Sequence, residues 1–182
     1  MKVLILFADG FEDVEAIATR DVLVRAGIEV YDAQIDINNE IVVSSHKMSL
    51  TGFKSLKNIN INEFSALILP GGSKGVNNLL KSIEVDKLVN EFNKANKMIC
   101  AICAAPMVLG KNGLLHNKPF TCYPGCEKGL DGIYVNEEVI VSDNIVTARS
   151  MLYSIAFGLK IIELLLGVET KEHIYRQIAG LK

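Results

Sequence analysis

Short aliphatic runs alternate with helical stretches along most of this chain. The first run, residues 3–7, is followed by residues 13–26, where apolar side chains recur at helical spacing until Gly27. The same order recurs after residues 66–69 and after residues 98–102. Alternation of this kind predicts an α/β fold, in which helices cover both faces of a mostly parallel central sheet.

Residues 36–62 interrupt the alternation. A strand-like run at residues 41–43 lies among many turn residues, and this pattern predicts short antiparallel elements beside the main sheet. The sequence contains no internal repeat, and 182 residues are the length of one ordinary domain. We therefore expect residues 1–182 to form a single domain.

The charge balance and the cysteine content narrow the classes of function. The chain has 19 Lys+Arg against 21 Asp+Glu, so it lacks the basic excess that nucleic-acid binding requires. The first apolar run ends at Asp9, and Lys160 and Glu163 interrupt the apolar stretch at residues 155–168, so we expect neither a secretory segment nor a membrane anchor. Four cysteines in a chain of this kind are expected to be reduced thiols, which indicates the cytoplasm.

Cys103 is the strongest candidate for a reactive nucleophile in the sequence. It lies directly after an apolar run, in a loop where ligands bind in sheets of this kind, beyond the carboxyl end of a strand. Pro106 suits the first turn of a helix, so the sulfur is predicted at a helix N-terminus, where the helix dipole favours the thiolate. The alternative is that Cys103 is a small core residue.

A carboxyl and two glycines are predicted at the same edge of the sheet. Glu15 lies in the first turn of the helix after the first strand, where a carboxyl beside a thiolate would have a raised pKa and could exchange a proton. Stabilisation of the helix N-terminus is the alternative role for Glu15. Gly71 and Gly72 leave their N–H groups open, as a turn that binds an oxyanion requires. A plain loop is the alternative, and it would be favoured if Cys103 were not predicted at the same edge of the sheet.

Three segments carry a resemblance to a known family. Residues 7–15, 69–72 and 101–106 resemble the signature segments of the ThiJ/PfpI superfamily, closest to the branch that contains the parkinsonism-associated protein deglycase. The likeness runs in order over nearly the whole chain and includes residues 146–149. It implies a three-layer sandwich of the flavodoxin-like or class I glutamine amidotransferase-like kind, and a homodimer.

The same resemblance assigns roles and a function. It implies a nucleophilic Cys103 with Glu15 as its carboxyl partner, and backbone oxyanion donors at Gly72 and Ala104. We therefore expect a stress-response enzyme that acts on small reactive dicarbonyls such as methylglyoxal or on early glycation adducts, with no cofactor. A redox sensor or chaperone that uses oxidation of Cys103 is the alternative. A role related to thiazole monophosphate biosynthesis, as some relatives are labelled, is a further one.

The sequence departs from the family pattern at two places. Tyr123 stands where several members have a histidine near the cysteine, so we expect no peptidase activity. Residues 150–152 are Ser-Met-Leu where relatives commonly have Gly-Pro-Gly, which predicts a bulkier pocket wall.

Four residues are predicted to line the pocket, namely Gly71, Tyr123, Arg149 and His46. A position in a solvated loop is the alternative for His46. Arg149 could bind a substrate anion, form a dimer contact or take part in an ordinary surface ion pair.

The spacing of the cysteines raises the question of a metal site. Cys100 with Cys103, and Cys122 with Cys126, could be read as a four-thiolate zinc site. Positions three apart in a strand face opposite sides of a sheet, so the first pair should diverge, and we expect no metal. No histidine lies in a His-x-Glu pair, which argues against a glutaminase-type triad.

Overall fold

The computed structural model describes residues 1–35, 39–56 and 59–181. The strands are β1 Lys2–Phe7, β2 Glu29–Gln34, β3 Val42–Val43, β4 Ser49–Leu50, β5 Lys54–Ser55, β6 Ala66–Leu69, β7 Met98–Ile102, β8 Pro119–Phe120, β9 Ile133–Tyr134, β10 Val139–Ser142 and β11 Ile145–Ala148. The helices are α1 Asp13–Arg25, α2 Ser73–Lys81, α3 Ile83–Lys94, α4 Pro106–Lys111, α5 Ser154–Leu166 and α6 Val168–Ile178. Short 3₁₀ turns occupy Ile61–Glu63 and Met151–Tyr153.

A seven-stranded sheet forms the centre of the fold, in the order β10-β11-β7-β6-β1-β2-β5. All neighbouring strands are parallel except β10 and β11, which form an antiparallel pair at one edge. Strands β1, β6 and β7 lie in the middle of the sheet and are almost continuously apolar, because helices cover both of their faces. The predicted α/β class with a mostly parallel sheet is confirmed.

The two faces of the sheet carry separate hydrophobic layers. In β1, Leu4 and Leu6 point to the side covered by α2, α3 and α4, whereas Val3, Ile5 and Phe7 point to the side covered by α1, α5 and α6. This alternation follows from the two-residue period of a strand. No helix in the described part of the chain is long and apolar enough to cross a membrane.

The stretch that interrupts the alternation is partly as predicted. Strands β3 and β4 form a separate antiparallel pair, as expected. Strand β5 differs, because it pairs in parallel with β2 and becomes the edge of the main sheet. Residues 36–38, 57 and 58 of this stretch lie outside the described residues.

Candidate active site

Cys103 lies on a sharp turn between β7 and α4. Its backbone has φ of 64°, a conformation that is uncommon for a residue with a side chain and that costs conformational energy. Two hydrogen bonds hold the turn in place: the Cys103 N–H donates to the carbonyl of Ala148 at 2.8 Å, and the N–H of Tyr123 donates to the Cys103 carbonyl at 2.8 Å. The turn therefore presents the sulfur beyond the end of the strand, as a nucleophile elbow does.

Gly71 brings Glu15 and Cys103 together. The N–H of Gly71 donates to Oε2 of Glu15 at 2.8 Å. A Cβ at Gly71 would lie 2.4 Å from that oxygen and 2.7 Å from the Cβ of Cys103, so no larger residue fits between them. Gly72 has φ of 93°, and a Cβ there would lie 2.4 Å from the carbonyl oxygen of Gly10. Both glycines are therefore required for the close approach of β6 and α1 at this edge.

Glu15 is a buried carboxyl at the start of α1, only 1% exposed. Its own N–H is capped by Oε2 of Glu12 at 2.7 Å, which fixes the first turn of the helix. Its Oε1 is buried and has no hydrogen-bond partner in the part of the chain that the structure describes. A buried charged oxygen without a donor is costly, so this environment favours the neutral carboxyl.

The electrostatics make Glu15 and Cys103 a coupled pair. The pKa of Glu15 is raised to about 7, mainly by burial and also by the Glu12 carboxylate, while hydrogen bonds from Cys103 and Gly71 act in the opposite direction. Burial also raises the pKa of the Cys103 thiol, and the neighbouring Glu15 carboxylate adds to this rise. The pair consequently retains one proton near neutral pH and carries at most one negative charge.

The prediction that a helix N-terminus acidifies Cys103 is wrong. Helix α4 has only six residues and begins at Pro106, three positions after the cysteine. The N–H groups of Ala104 and Gly72 do point at the sulfur and lower its pKa, but burial and Glu15 outweigh them. The resting state of Cys103 is therefore the thiol rather than the thiolate.

Cys103 opens into a cavity of about 560 Å³. Its walls come from the loop before α1, the N-terminal parts of α2 and α4, and the turn at residues 123–126. The backbone of this turn is hydrogen-bonded to that of Cys103. Sequence reasoning missed most of these lining residues, including Glu12, Val76, Met107 and Cys126. The one sequence signal for these residues is the spacing of Ser73 and Val76, which lie three positions apart on α2 and therefore share a helix face next to the glycine turn.

The predicted pocket residues have different positions. Tyr123 lines the cavity, and Gly71 lies beneath it between Glu15 and Cys103. His46 does not line it: its side chain is 75% exposed and its Nδ1 contacts Oδ2 of Asp13 at 2.8 Å. Arg149 does not line it either, because its guanidinium bonds to Asn136 at 2.6 Å and to the Tyr153 hydroxyl.

The bulkier pocket wall predicted at residues 150–152 is also absent from this cavity. None of these residues lines it, and Leu152 is 75% exposed. The preceding residue, Arg149, donates to the Tyr153 hydroxyl, and its guanidinium lies over the Tyr153 ring.

Potential metal ligands occur at one place in the described residues. Single atoms of Glu12, Asp13 and His46 lie within 4.8 Å of one another. Hydrogen bonds within the chain account for this group, because Asp13 already accepts from the Ser44 hydroxyl and from His46. The four cysteines are free, and Cys100 and Cys122 are fully buried.

The fold and this site together define a flavodoxin-like α/β protein with a cysteine on a nucleophile elbow and a buried carboxyl beside it. Residues 1–164 match the DJ-1/PfpI family model. The chain belongs to the DJ-1/PfpI family.

Three relatives illustrate the similarity. The chain is 35% identical to protein dj-1beta of Drosophila melanogaster over 174 residues, covering 94% of this chain and 92% of the relative. The crystal structure of that protein superposes with a TM-score of 0.91 at 33% identity, covering 100% of this chain and 98% of the other. The glutathione-independent glyoxalase DJR-1.2 of Caenorhabditis elegans is 29% identical over 181 residues, covering 98% and 96% of the two chains. A protein of Pyrococcus abyssi that is named a deglycase is 33% identical over 154 residues, covering 82% and 90%.

Proposed function

We propose that this protein is a cysteine-dependent stress-response enzyme that acts on reactive dicarbonyls or early glycation adducts, of the glyoxalase or deglycase type. The observation that carries the proposal is the pairing of Cys103 with the buried Glu15 on either side of Gly71. A nucleophile beside a group that can take and return a proton is what this chemistry needs. The names of the worm glyoxalase and the archaeal deglycase support the same reading.

The proposed reaction begins with addition of the Cys103 sulfur to the aldehyde carbon of a 2-oxoaldehyde. The thiol proton passes to Glu15, an S–C bond forms, and the N–H groups of Gly72 and Ala104 that face the sulfur hold the resulting oxyanion. Glu15 returns the proton to that oxygen to give a hemithioacetal. The carboxylate then removes the proton from the former aldehyde carbon to give an enediolate and returns it to the adjacent carbon. The hydroxyl proton moves to the neighbouring oxygen, which leaves a thioester of a 2-hydroxy acid.

Water completes the proposed cycle. It attacks the thioester, the C–S bond breaks, and the 2-hydroxy acid leaves while the sulfur regains its proton. The net reaction is an internal redox exchange plus one water, so no cofactor is consumed. A carboxyl with a pKa of about 7 suits both proton transfers, because it gains and loses its proton readily near neutral pH.

Turnover of methylglyoxal to lactate tests this proposal. We expect lactate from the wild type and none above background from Cys103→Ala. Cys100→Ala is the matched control, because Cys100 lies in the same strand-to-turn segment but is fully buried in the core. A wild type that forms no lactate and releases no amine from a glycated amino acid, or a Cys103→Ala variant that keeps its activity, would overturn the proposal.

Redox sensing is a second candidate, favoured by the donors around the sulfur. The N–H groups of Ala104 and Gly72 and a protonated Glu15 could stabilise the oxygens of a cysteine sulfinate. Intact-mass measurements after graded peroxide should show two added oxygens on Cys103 in the wild type and fewer in Glu15→Leu. Equal yields in both proteins would remove the support for this role.

We also propose that the protein is a homodimer. Helices α1 and α5 lie side by side, joined by a hydrogen bond from the Thr19 hydroxyl to the Ser154 carbonyl. Both carry exposed apolar side chains, including Ile17 on α1 and Ile155 on α5. Sedimentation should give a dimer for the wild type and a monomer for Ile17→Asp, and a monomeric wild type would contradict the proposal.

A further inference from the structure

The cavity above Cys103 is much larger than the smallest substrate of the proposed reaction. Methylglyoxal has five non-hydrogen atoms, whereas the cavity measures about 560 Å³. A methyl substituent would leave most of this space filled by water. The volume alone therefore admits a carbonyl compound with a larger substituent.

Much of the cavity lining is apolar. Val76 of α2 and Met107 of α4 face the cavity, and the turn contributes Tyr123, Pro124 and Cys126. Methionine is flexible and adapts to apolar groups of different shape. A substituent that reaches this apolar lining would gain from leaving water, whereas a charged one would lose its hydration there.

The charges around the cavity have one sign. Among the described residues that line it, Glu12 has the only charged side chain. The coupled pair of Glu15 and Cys103 contributes a further negative charge once its first proton is lost. The two basic residues that were predicted to line the pocket lie elsewhere, since His46 contacts Asp13 and Arg149 forms hydrogen bonds to Asn136 and Tyr153.

From these observations we infer that the site selects neutral 2-oxoaldehydes with an apolar substituent larger than methyl and rejects anionic ones, with Met107 and Glu12 as the residues that determine this preference. The inference rests on the proposed function, because it specifies the substrate class of that same site. The two residues respond to different properties of the substrate. Met107 discriminates by the size and polarity of the substituent, and Glu12 discriminates by its charge.

Three aldehydes of graded character test the inference. Methylglyoxal is small and neutral, 4-methyl-2-oxopentanal carries an isobutyl group, and 4,5-dioxopentanoate has a side arm of similar size that ends in a carboxylate. We expect kcat/KM for 4-methyl-2-oxopentanal to exceed that for methylglyoxal by about 10-fold, in the range that added apolar groups give in hydrophobic pockets. We expect 4,5-dioxopentanoate to be at least about 10-fold poorer than 4-methyl-2-oxopentanal, because like charges oppose its binding.

Two variants test whether Met107 and Glu12 determine the substrate preference. Met107→Ser should reduce the ratio of the isobutyl to the methyl substrate, while Glu12→Gln should raise the ratio of 4,5-dioxopentanoate to 4-methyl-2-oxopentanal several-fold. Glutamine keeps an oxygen that can cap the Glu15 N–H, and ratios between substrates cancel any effect of Glu12 on the chemistry of the pair. Ile83→Ala, an exposed apolar residue at the start of α3 outside the cavity, should change neither ratio.

The outcomes distinguish this inference from the proposed function. If 4,5-dioxopentanoate is converted as well as 4-methyl-2-oxopentanal, or if neither variant changes its ratio, the inference is wrong while the proposed function stands. If the wild type converts none of the three, the proposed function fails. The preference is then measured as protection of Cys103 from iodoacetamide by each aldehyde, where the same order supports the inference and an equal or reversed order overturns it.

Discussion

Replacement of Glu15 by glutamine should change how the stability of the protein depends on pH. In the folded protein, burial raises the pKa of Glu15 from its ordinary value of 4.5 to about 7. Between these two values the unfolded chain has released the proton while the folded protein still holds it. The free energy of unfolding of the wild type therefore falls as the pH rises through this window.

The size of the effect follows from the same two values. One pKa unit corresponds to about 1.4 kcal/mol, so the rise to about 7 corresponds to roughly 3 kcal/mol of stability lost between pH 4.5 and pH 8. Glu15→Gln keeps the shape of the neutral carboxyl but does not titrate. Its free energy of unfolding, relative to that of the wild type, should therefore rise by roughly 3 kcal/mol over this range.

Urea unfolding of both proteins at pH 4.5 and pH 8 measures this difference. The comparison cancels the titration of all other groups that the substitution leaves alone. Glu91→Gln is the control, because Glu91 is an exposed glutamate on α3 that does not line the cavity above Cys103. A difference between Glu15→Gln and wild type that stays constant with pH, or that shrinks toward pH 8, would refute the raised pKa of Glu15.

Three further results are expected. The rate at which iodoacetamide alkylates Cys103, measured by mass spectrometry, should rise with an apparent pKa near 7 in the wild type. In Glu15→Gln the rate should rise only at higher pH, because only the thiol is left to release a proton. The same pH profile in both proteins would contradict the coupling. Gly71→Ala should lower methylglyoxal turnover by at least about 100-fold, since its Cβ would lie 2.4 Å from Oε2 of Glu15, and near-wild-type turnover in a folded variant would refute that contact. Casein should not be cleaved, because Tyr123 supplies a phenol, which is a poor base at neutral pH, in place of an imidazole, and Cys103-dependent cleavage above the buffer rate would reveal another base.

The fold could be predicted from the sequence wherever the elements are long. Strands such as β1 and β7 have clear apolar runs, and their alternation with helices leaves few topologies. Strand β5 has only two residues, and its pairing with β2 depends on tertiary contacts rather than on its own sequence. Short strands carry too little pattern to specify their partner.

Part of the site could be predicted because the long parallel strands could be predicted. Parallel strands end at one edge of the sheet, so Cys103 and Glu15 were expected near each other without any knowledge of side-chain contacts. The burial of the sulfur could not be read from the sequence, and it reverses the expected direction of the Cys103 pKa shift. The position of Arg149 could not be predicted either, because it depends on a hydrogen bond to Asn136 in another segment of the chain.

The most direct test of the coupled Cys103–Glu15 pair is kcat/KM for methylglyoxal across pH 5 to 9, measured for the wild type and Glu15→Gln. The activity of the wild type should rise with an apparent pKa near 7, as the pair loses its first proton. Glu15→Gln should lose at least about 100-fold at every pH, because glutamine cannot carry the proton between the substrate carbons. Activity of Glu15→Gln within a few-fold of the wild type, with the same pH profile, would contradict the role of the pair.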